Sequence, residues 1–215
     1  MPEIIAVDGP AASGKSTTAK QIASKLGFEY LDTGAMYRAS AFLVSASGTD
    51  PHDGKSSSAI LLQHSIEVSS TGIFLDGEDI SGKIRTQAVG EAASIISAHR
   101  QVREYMVSLQ KAFGKKHNTV AEGRDMGTVV FPDATLKVYI VADIAVRAMR
   151  RLKDLGHRDI SRMVHSVFQR DYRDRNRQES PLRLPPGALW LDGTSMTVSQ
   201  QVEFVLKRFR ELSGR

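Results

Sequence analysis

Short apolar runs alternate along the chain with segments whose apolar residues recur at helical spacing. Five such runs predict strands, at residues 4–7, 29–31, 119–121, 136–141 and 189–191. Because helical patterns lie between them, the alternation predicts an α/β fold with a doubly wound, five-stranded parallel sheet. The clearest helical pattern is the last one, with its apolar face formed by Val198, Val202, Val205, Leu206 and Phe209.

One stretch interrupts this alternation. A polar, turn-rich segment at 50–58 is followed by two short strand patterns, 65–70 and 73–75, which predict an antiparallel hairpin that turns at Thr71-Gly72. We therefore expect an inserted subdomain at about 41–100 within a single domain. The core is then assigned to about 1–40, 101–150 and 178–215, and a short helical lid to about 151–177.

A glycine-rich segment follows the first predicted strand directly. It fits the pattern GxxxxGK[ST] with Gly9, Pro10, Ala11, Ala12, Ser13, Gly14, Lys15 and Ser16. In this pattern backbone N–H groups surround a β-phosphate, and the positive end of the next helix points at the same anion. Lys15 is expected to bridge the β- and γ-phosphates, Ser16 to ligate Mg²⁺ and Thr17 to donate to the α-phosphate.

The alternative for this segment is a glycine-rich turn that caps an ordinary helix. A strand of the buried type before it and an amphipathic helix after it, which Gly27 is expected to stop, favour the phosphate loop. The segment thus predicts a P-loop NTPase fold that binds a nucleoside triphosphate and transfers its γ-phosphoryl group to a small acceptor.

Composition narrows the chemistry further. The 215 residues include no cysteine, and six histidines without HExxH spacing, which excludes disulfides, zinc–thiolate sites and a catalytic thiol. Because no apolar run approaches the roughly 18 residues of a membrane span, we expect a soluble, cytoplasmic protein without a membrane partner. The net charge of +5 suits nucleic acid, but it suits a cleft that collects phosphates equally well.

Phosphoryl transfer needs positive donors around the transferred group, so arginines in loops are candidates. Arg124 and Asp125 follow the strand predicted at 119–121, at the end of the sheet where ligands of open α/β sheets bind. The alternative for this pair is a surface ion pair. Glu122 ends the same strand, where an acidic group can hold a Mg²⁺-bound water.

More arginines lie near the predicted lid. Arg147 and Arg151 share one face of a predicted helix, and residues 171–177 present further guanidinium groups after a second helix. Two such helices joined by a tight turn could close over a triphosphate, and a solvated charged hairpin is the alternative. Nucleic-acid binding is not expected, because only Phe168 and Tyr172 interleave the arginines and acidic residues alternate with them.

A third candidate segment follows the second predicted strand. Arg38 is expected to face the cleft from the helix that begins here. Thr33 is either a substrate contact or a purely structural cap of that helix, and the pattern leaves both open.

Five segments together resemble the bacterial cytidylate (CMP) kinases, small nucleoside monophosphate kinases, over nearly the whole chain. They are 8–10 with the phosphate loop, 31–38, 77–86, 122–133 and 173–177. The segment GEDISGKIRT at 77–86 resembles the stretch that distinguishes these enzymes from adenylate kinases and shorter UMP/CMP kinases. Two departures are Ala12, where glycine is common in the family, and Gly193, near the expected adenine edge.

The resemblance implies the reaction ATP + CMP ⇌ ADP + CDP with Mg²⁺, with dCMP as a second acceptor, and a monophosphate-binding domain beside a mobile lid. An Asp acceptor with Ser and Arg donors complements the amino group, ring nitrogen and carbonyl of cytosine. The roles implied by position are Ser94, Arg103 and Asp125 for cytosine, Arg38 and Arg124 for the acceptor phosphate, Asp174 and Arg177 near the ribose, and Arg147, Arg151 and Arg170 as lid arginines.

Two other functions stay open at this point. One is another small-molecule kinase on the same fold, for adenylate, uridylate or shikimate. The other is a P-loop switch or a nucleic-acid-dependent ATPase, against which the small size and the absence of a guanine-reading NKxD motif argue. The charged surface predicts a monomer whose partners are small molecules, namely CMP, dCMP and ATP.

Overall fold

The computed structural model of the protein describes residues 2–69, 72–156 and 159–214. The strands within these ranges are β1 (Ile4–Asp8), β2 (Glu29–Asp32), β3 (Ile66–Val68), β4 (Ile73–Leu75), β5 (Glu78–Asp79), β6 (Thr119–Gly123), β7 (Leu136–Val141) and β8 (Leu189–Asp192). The α-helices are α1 (Lys15–Leu26), α2 (Thr33–Ala46), α3 (Gly54–Leu61), α4 (Gln87–Ile96), α5 (Arg100–Lys116), α6 (Ile144–Leu155), α7 (Ile160–Asn176) and α8 (Val198–Ser213). A 3₁₀ helix spans Lys83–Arg85, and a π-helical turn spans Met126–Val130.

The central sheet has the strand order β2-β6-β1-β7-β8. β1 pairs in parallel with both β6 and β7, and β7 pairs in parallel with β8. All residues of β1 are buried, as expected for the middle strand of a sheet that is covered on both faces. The predicted α/β fold with a five-stranded parallel sheet is confirmed, and each predicted strand is present at its place in the chain.

The first and last helices supply much of the core. Ile22 of α1 and Phe209 of α8 are fully buried in one apolar cluster with residues of β1, β7 and β8. Phe28 meets Phe209 edge-on, with the ring centroids 5.7 Å apart. The glycine stop predicted for α1 is also confirmed, because Gly27 caps the helix in the left-handed conformation at φ 66°.

The chain divides into two compact units, one of Met1–Tyr30 with Gly114–Arg215 and the other of Leu31–Phe113. The second unit contains an antiparallel sheet in the order β3-β4-β5. β3 and β4 form the predicted hairpin, although Thr71 of its predicted turn lies outside the described residues. The short third strand, β5, was not predicted, because two polar residues carry no strand pattern.

The polar stretch at 50–58, whose composition predicts turns, contains the start of a helix. α3 begins inside it at Gly54, and the carboxylate of Asp53 caps the helix. One carboxylate oxygen accepts the N–H groups of Lys55 at 3.1 Å and Ser56 at 3.0 Å. A strong N-cap therefore starts a helix within a sequence whose composition indicates turns.

Helices α6 and α7 pack against each other in the first unit. The arginines of 171–177 were predicted to follow the second helix, but α7 continues to Asn176, so all of them except the C-cap residue Arg177 lie in its last turns. The N–H of Arg177 still donates to the carbonyl oxygen of Arg173 at 2.9 Å, which continues the helical bonding. Residues 157–158 of the predicted inter-helix turn lie outside the described residues. Of the helices in the described ranges, none combines the length and the apolar character that a bilayer crossing requires.

Candidate active site

The loop between β1 and α1 has a backbone shaped for anions. Ala12 at φ 56° and Gly14 at φ 96° are both in the left-handed region, where glycine is favoured. At Gly9 a Cβ atom would lie 2.1 Å from the carbonyl oxygen of Ile140, so only glycine fits beside β7. Gly14 is the N-cap of α1 and leaves the first N–H groups of the helix without a side-chain acceptor. These N–H groups can therefore bind phosphate oxygens.

Lys15 is the first residue of α1 and is buried. Its Nζ donates to the carbonyl oxygen of Pro10 at 3.3 Å and lies 3.9 Å from Oε2 of Glu122. Burial lowers the pKa of Lys15 to about 8, with further lowering by Arg124 and Arg170 and opposition from Glu122. The positive charges of Lys15, Arg124 and Arg170 thus repel one another, and a bound polyanion would stabilise all three.

Hydroxyl groups of the loop and of α1 complete the phosphate side. Ser13 is buried, and its Oγ has no hydrogen-bond partner among the described residues. Since buried hydroxyls are normally satisfied, a ligand oxygen at this place would supply the missing partner. Ser16 and Thr17 are exposed on the first turn of α1, where their hydroxyl groups can reach a ligand from solvent.

Asp171 of α7 and Arg147 of α6 hold the loop by its backbone. The N–H of Ala11 donates to Oδ1 of Asp171 at 2.9 Å, and Arg147 donates to the carbonyl oxygen of Ala11 at 3.1 Å. Arg147 also donates to the other oxygen of Asp171, and both side chains are buried. Arg147, which was predicted as a lid arginine, is therefore bonded to the phosphate loop itself.

Arg150 makes a second connection to the loop. It donates to the carbonyl oxygens of Ser13 at 3.0 Å and Gly193 at 2.8 Å. Gly193, noted in the sequence as a departure near the expected adenine edge, is thereby linked to the phosphate loop. Arg151, which shares a predicted helix face with Arg147, is half-buried.

Arg124 and Asp174 form an ion pair with little exposure. Nε of Arg124 donates to Oδ2 of Asp174 at 2.7 Å. Burial opposes the charge on Asp174, but the guanidinium groups of Arg124, Arg170 and Arg177 outweigh it and hold the pKa of Asp174 below its usual value. Burial also opposes the charge on Arg124, and the acidic groups led by Asp174 raise its pKa nonetheless. Both groups are therefore charged at neutral pH.

Asp125 is buried and pairs with Arg177, with Oδ1 and Nη2 3.5 Å apart. It is the N-cap residue of the turn Met126–Val130, but its side chain makes no capping hydrogen bond. The carboxylate of Asp8 accepts instead, from the N–H of Met126 and from the N–H of Gly127, both at 2.8 Å. Burial raises the pKa of Asp8 to about 6, although these two hydrogen bonds lower it.

The second unit holds the remaining predicted substrate residues. Arg38 on α2 donates through Nη1 to the carbonyl oxygens of Ile84 at 3.0 Å and Thr86 at 3.2 Å. Both carbonyls belong to the segment GEDISGKIRT, so the stretch that carries the family resemblance also orients Arg38. A Cβ atom at Gly90 of α4 would lie 2.8 Å from Nη2 of Arg38, so a larger residue there would have to displace this guanidinium.

Arg103 and Ser94 lie on α5 and α4 and are both buried. Nη1 of Arg103 donates to the carbonyl oxygen of Ser97 at 3.2 Å, and its guanidinium lies 5.6 Å from the ring centre of Tyr37. Oγ of Ser94 has no hydrogen-bond partner within the described ranges. A buried hydroxyl of this kind is available to a ligand.

Thr33 is not the cap of α2. It is the first residue of the helix, and the carboxylate of Asp32 caps instead by accepting the N–H of Ala35 at 2.8 Å. Asp32 precedes the helix and supplies the capping side chain, so the structural alternative for Thr33 is wrong.

Three residues that bear on the site were not selected from the sequence, namely Asp8, Arg150 and Asp171. The signal for Asp8 was present, because a carboxylate at the end of a strand buried on both faces needs buried donors. Asp171 and Arg150 had no such signal, since each lies among many charged residues of ordinary helical pattern.

The left-handed Ala12 leads to a stability prediction. We expect Ala12→Gly to raise the free energy of unfolding by about 0.5–1 kcal/mol, because an L-residue in this conformation costs more than the added chain entropy of glycine. Urea unfolding measures the change. Ala11→Gly is the control, since Ala11 has no positive φ and should lose stability. Equal losses in both variants would contradict the interpretation.

Comparisons with known proteins bear on the identity of this site. The family model described as cytidylate kinase matches residues 5–211. The cytidylate kinase of Ralstonia nicotianae is 43% identical over 98% of this chain and 94% of its own. That of Neisseria gonorrhoeae is 40% identical over 98% of each. The solved structure of a gluconokinase from Sinorhizobium meliloti superposes with a TM-score of 0.53 and 14% sequence identity. The match covers 98% of this chain and 93% of the gluconokinase chain, and it shows a similar fold.

Proposed function

Because this chain belongs to the cytidylate kinase family, we propose that it transfers the γ-phosphoryl group of Mg-ATP to CMP and dCMP, giving CDP and dCDP. The observation that carries the proposal is the set of positive charges at the phosphate loop. Burial is the main cause of the lowered pKa of Lys15, and the nearby charges of Arg124 and Arg170 lower it further. A site that gathers cations in a buried place favours ligands with several phosphates.

Phosphoryl transfer requires little covalent chemistry from the protein. An oxygen of the acceptor phosphate attacks the γ-phosphorus, the bond to the β,γ-bridging oxygen breaks, and ADP leaves with that electron pair. The acceptor phosphate has a second pKa of about 6, so it is largely dianionic at neutral pH and needs no general base. Positioning and neutralisation of charge are the tasks left to the side chains.

On the donor side, the loop from Gly9 to Thr17 binds the triphosphate through backbone N–H groups, with Lys15 between the β- and γ-phosphates. Ser16 and Glu122 are assigned to Mg²⁺, which supplies charge neutralisation when bound with the nucleotide. Within the described residues no three acidic or histidine side chains form a cation site of their own. This fits Mg²⁺ that arrives with phosphates and keeps several waters. The buried, unsatisfied Ser13 hydroxyl also fits an occupied loop.

On the acceptor side, the candidate residues are assigned proposed roles one by one. The unsatisfied hydroxyl of Ser94 and the buried guanidinium of Arg103 suit a polar ring, and the buried Asp125 suits an amino donor. The full assignment is Arg38 and Arg124 for the acceptor phosphate, Ser94, Arg103 and Asp125 for cytosine, Asp174, Arg177 and Thr33 for the rest of the nucleotide, and Arg147, Arg151 and Arg170 for the transferred group.

A coupled assay of ADP formation tests the proposal. The purified protein is given Mg-ATP with CMP, dCMP, UMP, AMP, GMP or shikimate, and without an acceptor. We expect CMP and dCMP to give rates at least about tenfold above the other acceptors, since a site built to hydrogen-bond one base rejects others strongly. Omission of Mg²⁺ should abolish turnover.

The other outcomes separate the alternatives. Turnover with AMP, UMP or shikimate alone would replace the proposal with another small-molecule kinase. ATP hydrolysis that needs no acceptor, or that a nucleic acid stimulates, would indicate a switch or a polymer-dependent ATPase. We also propose a cytoplasmic monomer that does not bind nucleic acid, and light scattering during gel filtration should give the mass of one chain.

A further inference from the structure

Ala11 of the phosphate loop is held at both of its backbone polar groups by side chains of α6 and α7. Its N–H donates to Oδ1 of Asp171 at 2.9 Å, and its carbonyl oxygen accepts from Nη1 of Arg147 at 3.1 Å. The two side chains also pair with each other, because Arg147 donates to Oδ2 of Asp171. Each side chain belongs to a residue that is only 7% exposed. These three bonds form a closed ring, which we call the Ala11 clamp.

The Ala11 clamp lies directly before a residue with an unfavourable backbone conformation. Ala12 has a φ of 56°, and in this left-handed region the Cβ of an L-residue crowds the following carbonyl oxygen. Such a conformation persists only where the surrounding structure fixes it. On the other side of Ala12, the carbonyl oxygen of Ser13 accepts from Arg150 at 3.0 Å. Ala12 is therefore flanked by two anchored residues, and the clamp holds the first of them at both ends.

We propose that Asp171 is a positioning residue of the donor site, which acts through the Ala11 clamp to hold the phosphate loop in the conformation that Ala12 disfavours. The inference rests on the proposed function, because it takes the loop 9–17 as the binding site for the triphosphate of ATP. Asp171 acts on the nucleotide only through the loop, since its two oxygens are occupied by Ala11 and Arg147. Arg147 adds rigidity by donating through Nε to the carbonyl oxygen of Ala142, just after β7, at 2.9 Å.

Asp171→Asn is the first test, because asparagine keeps the shape and has one acceptor oxygen in place of two. It can accept from Ala11 or from Arg147, but the clamp needs both bonds. We expect the KM for ATP, and the Kd of Mg-ATP measured by calorimetry, to rise about tenfold. The KM for CMP should change less than about threefold. The charge of Asp171 also favours the charged form of Arg124, but Arg124 keeps its hydrogen-bonded partner Asp174.

Ala12→Gly provides a rescue that distinguishes positioning from general loss of structure. Glycine adopts the left-handed conformation without crowding, so a loop with Gly at position 12 depends less on the clamp. Ala12→Gly alone should change the Kd of Mg-ATP less than about twofold, whereas in the Asp171→Asn background it should restore at least about threefold of the lost affinity. Ala11→Gly is the control for the added flexibility, because Ala11 has no positive φ, and it should restore nothing.

The matched control for the lost charge is Asp159→Asn. Asp159 is exposed at the start of the same helix and caps it by accepting the N–H of Arg162 at 2.9 Å. Its variant should leave both KM values unchanged. An unchanged Kd of Mg-ATP in Asp171→Asn, equal rises of the two KM values, or the absence of rescue by Ala12→Gly would each overturn the inference. Wild-type protein that binds Mg-ATP but does not phosphorylate CMP would instead refute the proposed function.

Should Asp171→Asn fail to fold, Arg147→Lys tests the clamp from its other side. Lysine keeps the positive charge beside Asp171, but its single ammonium group cannot replace a guanidinium that bonds Asp171, Ala11 and Ala142 together. We expect the Kd of Mg-ATP to rise at least about threefold, and Ala12→Gly to reverse most of this rise. A rise that Ala12→Gly leaves unchanged would mean that Arg147 serves the nucleotide directly, and it would overturn the inference.

Discussion

Lys15→Met is expected to lower kcat/KM for CMP phosphorylation by about 10³-fold while the protein stays folded. Removal of one preorganised charge from a transition state typically costs 10²–10³-fold, and Lys15 is the buried cation of the phosphate loop. Methionine has a similar length and no charge. The coupled assay measures the loss, and calorimetry measures the melting temperature.

The melting temperature should not fall in this variant. Burial lowers the pKa of Lys15 to about 8 from 10.5, so the charge destabilises the folded protein fully below pH 8. This destabilisation decreases as the pH rises from about 8 to 10.5, and it is absent above pH 10.5. Methionine removes the cost at neutral pH, and Glu122 keeps its hydrogen bond from Tyr30 at 2.9 Å. Lys25→Met, at an exposed position of the same helix, is the control for the lost charge. Retention of a tenth of the activity by Lys15→Met would contradict the assigned role.

Asp125→Asn should have the second-largest effect, a fall of about 10²-fold in kcat/KM for CMP and a smaller fall for UMP. A carboxylate accepts from the amino group of cytosine, whereas an asparagine amide can donate to the carbonyl of uracil. The variant is isosteric, so the space beside Arg177 stays filled. The ratio of the two kcat/KM values reports on base recognition and is insensitive to general loss of enzyme.

The control for this variant is Asp133→Asn, an exposed carboxylate later in the same segment. It changes the net charge equally and should leave both rates unchanged. If Asp125→Asn lowers CMP and UMP turnover in equal proportion, Asp125 serves to hold Arg177 and does not read the base. The proposed kinase activity would survive that outcome, because the wild-type acceptor panel measures it separately.

The sheet was predictable because local sequence decides most of it. An apolar run such as that of β1 can be stable only in the interior, and Gly27 ends α1 for steric reasons that no distant residue changes. The phosphate loop is equally local, since its glycines and Lys15 act within a few residues. The start of α3 was missed because one capping carboxylate, Asp53, outweighed a turn-rich composition.

The partners of the charged side chains could not be read from the sequence. Arg124 pairs with Asp174, fifty residues away, although Asp125 is adjacent in the chain. Arg150 contacts the phosphate loop as Arg147 does, although the helical spacing selected only Arg147 and Arg151. Each choice depends on how strands and helices pack, and the many Arg and Asp residues of this region offer several pairings of similar local cost.

Trp190, the only tryptophan, provides an intrinsic optical probe of one part of the molecule. It lies on β8 at the edge of the sheet, 54% exposed, and stacks on Tyr139 with the ring centroids 5.6 Å apart. Its fluorescence therefore reports melting of the sheet around β7 and β8 in the first unit, while far-ultraviolet circular dichroism reports both units. Coincident denaturation curves from the two signals would mean that the units unfold as one cooperative body, and separated curves would reveal a half-folded intermediate.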